Sequence, residues 1–363
     1  MNDRFYMQMA LDLAARGKGR TSPNPMVGAV IVKGDTIIAS GYHRKAGTAH
    51  AEAAALKKAG SRAKGATLYV NLEPCCHTGK RTPPCTKAVI QAGIKEVVTA
   101  MIDPNPNVSG KGLHALRKAG IKTRSGVMKE EAQKLNEVFI THITRKRPFV
   151  ILKIAQSIDG KIATAKGESK WITGPEARER VHTLRNEVDA LLVGIGTVNA
   201  DNPSLDCRTR GGRNPYRIIV DSRLQISLSS KVLTHDDGKT IIAATENADK
   251  NKLQTLARRG IRVLICRGKA GKVDLNRLMT ELGKLDITSV MIEGGSSIAA
   301  SALSQNIVDK VMFFTAPKII GGVDAFPSIG GKSPASLKNA IKLKDMHTCY
   351  LGEDILIEGY TAY

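Results

Sequence analysis

The chain has 363 residues, 42% of them hydrophobic and 24% charged, which is the composition of a folded globular protein rather than a disordered one. That length exceeds a single ordinary hydrophobic core, so two domains are expected. Lysine and arginine outnumber aspartate and glutamate by 55 to 33, and the resulting net charge of +22 favours anionic partners. Because aromatic residues make up only 4% and no run of five basic residues occurs, we expect phosphorylated small molecules and no nucleic acid as partners.

The first 130 residues repeat one local pattern: a short helix, a glycine, then a β-branched run. The helices are predicted to end at Gly60, Gly93 and Gly120, where glycine can adopt a left-handed conformation. Strands are predicted directly afterwards, at residues 66–70, 94–100 and 121–123. Alternating helices and strands indicate a layered α/β domain.

A predicted amphipathic helix at residues 130–143 closes this half of the chain. Leu135, Val138, Phe139 and His142 recur there at helical spacing. A basic segment ending in Pro148 then breaks the pattern. We therefore predict two domains, at residues 1–147 and 148–363.

The second half restarts with a predicted strand at residues 149–154. Further strands are predicted at residues 190–194, 217–221, 240–244, 262–266, 289–293 and 310–315. Helices are predicted between several of them, at residues 176–186, 251–259 and 298–303. This alternation indicates a second α/β domain of ordinary size.

The number and spacing of the cysteines indicate a reducing compartment and a metal site. The chain has 6, at Cys75, Cys76, Cys85, Cys207, Cys266 and Cys349. This scatter is unlike a disulfide framework. Polar residues follow Met1, and no apolar run of about 18 residues occurs, so we expect neither a secretion signal nor a membrane partner. A cytoplasmic protein whose clustered cysteines bind metal is expected.

Three residues in the first domain match a catalytic zinc site. His50, Cys75 and Cys85 would give zinc one nitrogen and two thiolates, leaving the fourth position open for water. Such zinc makes water nucleophilic near neutral pH, and it can then attack a ring carbon that carries an amino group. Glu52, two residues after His50, is the predicted proton carrier that takes the water proton and delivers it to the departing nitrogen.

The spacing of the cysteines leaves the second ligand open. Base deaminases carry H-x-E with P-C-x-x-C, whereas 9 residues separate Cys75 from Cys85 here. Either Cys75 or Cys76 could reach the metal. We choose Cys75 because it directly follows Pro74, and we expect Cys76 to be a small buried residue.

The first domain resembles the bifunctional riboflavin-biosynthesis deaminase–reductases. The resemblance lies in Thr-Ser-Pro-Asn-Pro-Met-Val-Gly-Ala-Val at residues 21–30, Gly-Tyr-His at 41–43, His-Ala-Glu at 50–52 and the segment 73–85. It implies a cytidine-deaminase-like three-layer fold and hydrolytic deamination of 2,5-diamino-6-ribosylamino-4(3H)-pyrimidinone 5′-phosphate. It also implies that Asn24, His43 and Lys80 line the substrate pocket, although the segment 75–85 is one residue longer than the family pattern and Arg81 could replace Lys80.

Phosphate-binding motifs in the second domain are weak by themselves. The Gly-Ile-Gly segment at 194–196 follows a predicted strand but lacks the third glycine of a dinucleotide fingerprint. Residues 293–297 end a strand and open a helix, where backbone N–H groups can hold phosphate, but an ordinary turn capped by serine is equally compatible.

The same family resemblance continues through the second domain. It lies in residues 153–160, 167–173, 196–198, 201–203 and 293–295, and it implies a dihydrofolate-reductase-like fold that reduces the ribosylamino group with NADPH. The implied cofactor contacts are Ala155, Trp171, Thr197, Asp201, Ser222 and Gly295. The implied substrate contacts are Lys153, Ser169, Arg185, Leu205, Arg208 and Glu293.

These observations predict a bifunctional zinc- and NADPH-dependent enzyme, expected to form a homo-oligomer. Ser222 is expected to accept the extra phosphate of NADPH, with Asp221 turned away. Two other functions fit parts of the pattern: an RNA adenosine deaminase with an appended domain, and an RNA-binding protein built on an inactive deaminase. The second domain's motifs disfavour the first alternative, and the complete set of His50, Glu52, Cys75 and Cys85 disfavours the second.

Overall fold

The computed structural model describes residues 2–76 and 83–363. The chain divides into two compact units, Met1–Lys146 and Arg147–Tyr363. Arg147 belongs to the second unit because its guanidinium donates to both carboxylate oxygens of Asp309, at 2.7 and 2.8 Å. The same carboxylate accepts from the Val150 backbone at 2.8 Å. The predicted and observed divisions therefore differ by one residue.

The first unit contains five strands and six helices within the described residues. The strands are β1 Gly28–Lys33, β2 Thr36–Tyr42, β3 Thr67–Leu72, β4 Glu96–Met101 and β5 Lys122–Ser125. The helices are α1 Asp3–Ala15, α2 Ala51–Ala59, α3 Cys85–Gln91, α4 Lys111–Lys118, α5 Lys129–Leu135 and α6 Glu137–Arg145, with a 3-10 turn at Gly60–Ala63.

The strands form one mixed sheet in the order β2-β1-β3-β4-β5. β1 is antiparallel to β2 and β3, whereas β3, β4 and β5 run parallel. Gly28 and Gly41 lie at neighbouring register positions, so they face opposite sides of the sheet. A Cβ at Gly28 would lie 2.0 Å from the Ala10 carbonyl of α1, and one at Gly41 would lie 2.7 Å from the Ala55 nitrogen of α2. Helices therefore pack closely on both faces, and the unit has the three-layer arrangement expected of it.

The glycine stops predicted for the first unit are present. Gly60, Gly93 and Gly120 have φ angles of 56°, 66° and 82°, which only glycine adopts without strain. The core between the helical layers is aliphatic and includes Ile31, Leu68 and Val97, all fully buried. The strands that lead to the zinc-type motifs are thus anchored in a close-packed interior.

The single amphipathic helix predicted at residues 130–143 is wrong. The structure has two helices, α5 and α6, with Asn136 between them at φ −103° and ψ 21°. The Asn136 side chain accepts a hydrogen bond from the Met26 backbone at 2.8 Å and donates one back to the Met26 carbonyl at 3.0 Å. This long-range pairing, which periodicity cannot reveal, fixes the residue at which the helix is interrupted.

The second unit has eleven strands and five helices. The strands are β6 Phe149–Ser157, β7 Lys161–Ala163, β8 Ala190–Gly194, β9 Tyr216–Val220, β10 Thr240–Ala244, β11 Arg262–Ile265, β12 Ser289–Ile292, β13 Lys310–Ala316, β14 Phe326–Pro327, β15 Lys342–Leu351 and β16 Asp354–Ala362. The helices are α7 Pro175–Glu187, α8 Ile195–Asp201, α9 Lys250–Arg258, α10 Leu275–Lys284 and α11 Ser296–Ser304. Three 3-10 turns lie at Lys231–Leu233, Lys269–Gly271 and Leu337–Asn339.

Nine of these strands form one sheet in the order β11-β10-β9-β8-β12-β6-β13-β16-β15. The strands from β11 to β13 run parallel, and the hairpin of β16 and β15 adds an antiparallel edge. β7 and β14 pair separately. The carboxyl ends of the parallel strands share one edge, and that is where ligands bind in such sheets.

The interior of the second unit is also aliphatic. Leu152 of β6, Leu192 of β8 and Val290 of β12 lie in one buried cluster with residues of α10 and α11. No helix formed by residues 2–76 or 83–363 is both long enough and apolar enough to span a bilayer.

Candidate active sites

The predicted zinc ligands are placed by the ends of three elements of the first unit. Cys75 follows β3, and Cys85 is the first residue of α3. His50 precedes α2 in an extended conformation, with φ −69° and ψ 162°, so its ring is next to the start of that helix. Glu52 follows in the first turn of α2 and is 4% exposed. Two helix starts and one strand end therefore converge on one point.

The three ligand atoms form a cluster of the size that zinc requires. His50 Nδ1 lies 3.2 Å from Cys85 Sγ and 3.6 Å from Cys75 Sγ, and all three atoms lie within 4.8 Å of one another. Tetrahedral zinc with ordinary Zn–S and Zn–N distances holds such atoms roughly 3.5–3.8 Å apart. The donor set and its spacing fit zinc. Among the described residues, this is the one His/Cys/Asp/Glu group of three or more that could hold a metal, and Cys76 lies outside it.

The two cysteines of the cluster have pKa shifts in opposite directions. A hydrogen bond from the Cys85 thiol, together with His50, lowers the pKa of Cys75 to about 3. The same hydrogen bond and burial raise the pKa of Cys85. A cation held there would favour the thiolate form of both cysteines.

Glu52 lies against the cluster without belonging to it. Burial, and then the negative charge of Cys75, raise the pKa of Glu52 above its ordinary value. Its carboxyl group hydrogen-bonds with the Cys85 thiol. A buried carboxyl group whose protonated form is favoured, within one hydrogen bond of the ligands, is suited to moving protons.

Two of the three predicted pocket residues lie together beside the cluster. The His43 ring lies 5.4 Å from the His50 ring, edge to face, and its Nε2 is 3.2 Å from Asn24 Nδ2. His43 Nδ1 lies 3.2 Å from the Ala49 carbonyl, and burial lowers the pKa of His43. Asn24 follows the cis Ser22–Pro23 peptide. Lys80 and its alternative Arg81 lie outside the described residues.

Glu73 is a residue of this site that the sequence did not single out. It is 3% exposed, and its carboxylate accepts from the backbones of Asp103 at 3.1 Å, Gly110 at 2.8 Å and Leu113 at 3.0 Å. Since Glu73 lies two residues before Cys75, these bonds fix the strand end that carries the sulfur. Its position before Pro74-Cys75 was the available signal, but its partners are remote in sequence.

The second unit gathers three predicted substrate residues at the carboxyl edge of its sheet. Arg185 donates to Glu293 from Nε at 2.8 Å and from a terminal nitrogen at 3.0 Å, and Lys153 Nζ lies 3.8 Å from the same carboxylate. The remaining terminal nitrogen of Arg185 donates to the Asp206 carbonyl at 3.0 Å. The Arg185 guanidinium therefore forms a bidentate ion pair with the Glu293 carboxylate.

The charges in this trio compensate one another. Burial opposes ionisation of Glu293, but Arg185 and Lys153 outweigh it and hold the Glu293 pKa below its ordinary value. Burial lowers the pKa of Lys153, which Glu293 only partly offsets. A charged carboxylate beside an ammonium that loses its proton easily can orient and protonate a polar substrate.

The other substrate-side residues are less enclosed. Leu205 is 4% exposed with φ 53°, and Ser169 is half-buried. Arg208 is exposed, with its Nε 3.4 Å from the Asp206 carboxylate and its backbone N–H 3.4 Å from His182 Nδ1. Arg208 thus retains donors directed to solvent, whereas Arg185 uses most of its own within the protein.

Five of the six predicted cofactor residues lie within, or follow, four adjacent parallel strands. They are Ala155 in β6, Thr197 and Asp201 in α8 after β8, Ser222 after β9, and Gly295 after β12. The Gly295 backbone donates to Thr197 Oγ1 at 3.2 Å, which joins the starts of α11 and α8. Asp201 is 3.7 Å from Lys170 Nζ. This row of strand ends and the start of α11 fit an extended dinucleotide with phosphates.

The end of β9 presents Ser222, and not Asp221, towards the surface. Asp221 is 1% exposed and accepts from the Ile226 backbone at 2.8 Å, so its carboxylate points into the protein. Ser222 stays half-buried, with Oγ accepting from the Val273 backbone at 3.3 Å. Of the two neighbours, Ser222 is the one left at the surface of this strand end.

Trp171 is exposed, and two cations that the sequence did not indicate hold it. Its side chain is 63% exposed, which rules out core packing. The Arg178 guanidinium lies 4.8 Å from its ring centroid, and Lys318 Nζ donates to its carbonyl at 2.9 Å. The Lys170–Trp171 peptide is cis. An exposed, fixed ring at this edge is a surface on which a flat ligand can stack.

Two protein-family models match different parts of the chain. Residues 1–101 match the family described as the cytidine and deoxycytidylate deaminase zinc-binding region. Residues 148–357 match the RibD C-terminal domain.

Whole-chain relatives and solved structures cover both units together. The riboflavin biosynthesis protein RibD of Aquifex aeolicus is 47% identical over 98% of this chain and 97% of its own, and that of Escherichia coli is 39% identical over 98% and 99%. The structure is similar to Acinetobacter baumannii RibD, with a TM-score of 0.90 at 37% identity over 99% of both chains. It is also similar to a diaminohydroxyphosphoribosylaminopyrimidine deaminase/5-amino-6-(5-phosphoribosylamino)uracil reductase from Thermotoga maritima, with a TM-score of 0.87 at 38% identity over 99% of both chains.

Proposed function

This chain belongs to the RibD family of bifunctional riboflavin-biosynthesis deaminase–reductases, and we propose which of its residues carry out each reaction. It is a zinc-dependent deaminase in its first part and an NADPH-dependent reductase in its second. The observation that carries the residue assignment is the convergence of His50, Cys75 and Cys85 on one point beside buried Glu52.

In the deaminase, the substrate is 2,5-diamino-6-ribosylamino-4(3H)-pyrimidinone 5′-phosphate. Zinc would be held by His50, Cys75 and Cys85 and would supply the Lewis acidity that makes water nucleophilic near neutral pH. Glu52 takes a proton from water as its oxygen bonds to the amino-bearing ring carbon, and then gives a proton to the nitrogen. The carbon–nitrogen bond breaks, ammonia leaves and a carbonyl remains. Asn24 and His43 form the wall that orients the pyrimidine, and Lys80 is assigned to the same pocket.

In the reductase, the ribosylamino group of the deaminated pyrimidine becomes ribitylamino. When bound, NADPH would supply a hydride to C1′, while the bond between C1′ and the sugar ring oxygen breaks and that oxygen takes a proton. Lys153, Arg185 and Glu293 bind the substrate polar groups, and Lys153 is the proton source best matched to this step because burial lowers its pKa. Ser169, Leu205 and Arg208 complete the substrate side, and Arg208 retains the donors that suit a phosphate.

When bound, the cofactor would contact the residues at the strand ends, Ala155, Thr197, Asp201, Ser222 and Gly295. Backbone N–H groups at the start of α11 would bind its phosphates, and the exposed ring of Trp171 would offer it a stacking surface. Ser222 accepts the extra ribose phosphate because Asp221 is turned into the protein, where it cannot repel that group.

The two RNA-directed alternatives rest on the basic charge and on the deaminase motif, and the bifunctional assignment accounts for both. The C-terminal region, which an RNA adenosine deaminase would carry as an unrelated appendage, matches the RibD C-terminal domain over residues 148–357. The phosphorylated pyrimidine also explains why a basic chain suits the task without nucleic acid.

We also propose a cytoplasmic homo-oligomer. All six cysteines are free thiols, as a reducing compartment requires. β15 is an edge strand whose residues are largely exposed, and Ile319, Val323, Leu337 and Tyr350 are at least 77% exposed nearby in sequence. Large exposed apolar side chains and an unpaired strand edge both favour a contact with a second copy of the chain. Light scattering after size exclusion tests it, and a monomer mass at micromolar concentration would contradict the proposal.

One experiment tests the assignment of both reactions. The protein is incubated with the diaminopyrimidine phosphate, with and without NADPH, while ammonia release and NADPH oxidation are followed separately. We expect ammonia release in both cases and NADPH oxidation only after ammonia has begun to appear. NADPH oxidation without ammonia release would contradict the order.

The domain division at 147/148 is tested with a fragment of residues 1–147. We expect it to bind zinc and deaminate without NADPH. A folded, zinc-loaded fragment that cannot deaminate would count against a self-sufficient first domain.

A further inference from the structure

Two buried asparagines hold the same three residues of backbone in the first unit. Asn136 Oδ1 accepts from the Met26 N–H at 2.8 Å, and Asn136 Nδ2 donates to the Met26 carbonyl at 3.0 Å. Asn71 Nδ2 donates to the same carbonyl at 3.0 Å, and Asn71 Oδ1 accepts from the Gly28 N–H at 2.8 Å. Both side chains use donor and acceptor together, as a neighbouring strand would.

The clamped backbone carries the pocket wall beside the zinc-type cluster. Asn24 lies two residues before Met26 and contacts His43 Nε2 at 3.2 Å. The His43 backbone donates to the Val27 carbonyl at 2.8 Å. Both residues of the wall are therefore attached to the segment that Asn71 and Asn136 fix from behind.

Local helix preference disfavours Asn136 at its position, and only its hydrogen bonds to Met26 compensate for its burial. Asn136 is 1% exposed, and it interrupts what would otherwise be a continuous amphipathic helix. Asparagine is a poor residue for a helix interior, and burying an amide is unfavourable unless its hydrogen bonds are made. Asn71 is fully buried in β3, four residues before Cys75, so the clamp connects the strand that carries a metal ligand to the pocket wall.

We propose that Asn136 is a positioning residue for deamination, acting with Asn71 to hold Asn24 and His43 at the substrate. This inference rests on the proposed substrate role of Asn24 and His43. Its consequence is a separation of kinetic effects. Loosening the wall at Asn136 weakens substrate binding, whereas Asn71 keeps its hydrogen bond to the Gly28 N–H, so β3, the metal ligands and Glu52 keep their geometry.

The test compares Asn136→Leu, Asn24→Ala and the exposed control Asn107→Leu in the full-length protein. Deamination kinetics, zinc per chain and reduction of the deaminated intermediate are measured for each. Asn136→Leu should raise the deamination KM by about tenfold, the size expected from losing two neutral hydrogen bonds, with kcat reduced less than about threefold. Zinc content and reduction should be unchanged, and Asn107→Leu should match the parent protein.

Asn136→Asp is the second variant, which preserves side-chain volume if the leucine variant folds poorly. Its carboxylate still accepts from Met26 N–H but faces the Met26 carbonyl, which it can donate to only when protonated. The KM penalty should therefore be smaller at pH 6 than at pH 8, relative to the parent protein at each pH. A purely structural defect would lower zinc content or damage both reactions.

The outcomes separate the inference from the assignment beneath it. If Asn24→Ala raises KM and Asn136→Leu does not, the positioning role is overturned and the pocket assignment stands. If Asn24→Ala has no effect, the substrate role of the wall is wrong and the inference falls with it. Loss of zinc or of reduction in folded Asn136 variants would identify Asn136 as a structural residue and overturn the proposal.

Discussion

The two sites of this chain place different physical requirements on the residues that form them. In the first unit, chemistry depends on atoms that must meet around one ion, and His50, Cys75 and Cys85 bring their ligand atoms within 4.8 Å. In the second unit, function depends on a row of strand ends, where backbone and ordinary polar residues meet a large cofactor. A metal site thus restricts residue type and spacing, whereas a dinucleotide site restricts mainly topology.

The electrostatics of the two sites differ as well. Burial, and then the negative charge of Cys75, raise the pKa of Glu52, and the opposing effect of His50 is smaller. Glu293 is also buried, yet Arg185 and Lys153 lower its pKa. The deaminase carboxyl group is therefore prepared to exchange a proton, and the reductase carboxylate is prepared to stay charged and bind. Separate variants can test this contrast in one chain.

The largest expected effect is the loss of the metal. Cys75→Ala should lose zinc and all measurable deamination, since two remaining ligands cannot form the site. Cys76→Ala should keep one zinc per chain, because Cys76 is outside the cluster. Metal analysis with an ammonia assay checks both variants. Zinc loss from Cys76→Ala alone would reverse the ligand assignment.

Removing the proton carrier should be nearly as damaging but leave the metal in place. Glu52→Gln should lower deamination kcat by about 10²–10⁴-fold, because the amide cannot accept the water proton. Zinc content should stay at one per chain, and reduction of the deaminated intermediate should continue at the parent rate. Deamination close to the parent rate would exclude Glu52 as the proton carrier.

A smaller effect is expected from Arg185→Ala, which should impair reduction and leave deamination intact. It should lower reductase kcat/KM by about ten- to a hundredfold, the range of one to two charge-assisted hydrogen bonds, and spare ammonia release. Because Arg185 holds the Glu293 carboxylate on the substrate side, the variant should bind substrate more weakly and keep its affinity for NADPH. Arg180→Ala, on the same helix and paired with Glu187, is the matched control. Weakened NADPH binding would mean that substrate and cofactor sides are exchanged.

The most subtle effect should be on the pH profile of reduction. Burial lowers the pKa of Lys153, so its ammonium is lost at a lower pH than that of an exposed lysine. Reductase activity should therefore fall with rising pH before ordinary lysines titrate. Lys153→Arg keeps its charge in this range, and any residual activity should lose that alkaline decline. An unchanged decline in the arginine variant would assign the titration to another group.

The sequence was most informative where local chemistry is restrictive. The glycine stops, most strands and the converging His50, Glu52, Cys75 and Cys85 could be predicted because each depends on neighbouring residues or fixed motifs. The single helix at residues 130–143 was wrong because periodicity does not detect a buried asparagine that bonds to a backbone 110 positions away. The β1–β2 hairpin and the β15–β16 hairpin were not identified either, since both strands of the latter are largely exposed or half-buried and lack a clear alternation.

By itself, then, the sequence determined which chemistry the chain can perform and in which half each reaction belongs. Residue type sets ligand softness and acid–base capacity, and these do not depend on the fold. Only the tertiary structure decided which partner each polar side chain contacts. In the folded chain Arg185 contacts Glu293, 108 positions away, and Asn136 binds the Met26 backbone. Trp171 is exposed beside Arg178, and the Asp221 carboxylate points into the protein. Those contacts arise from packing between distant segments, where burial makes an unpaired polar group costly, and local preferences carry no record of them.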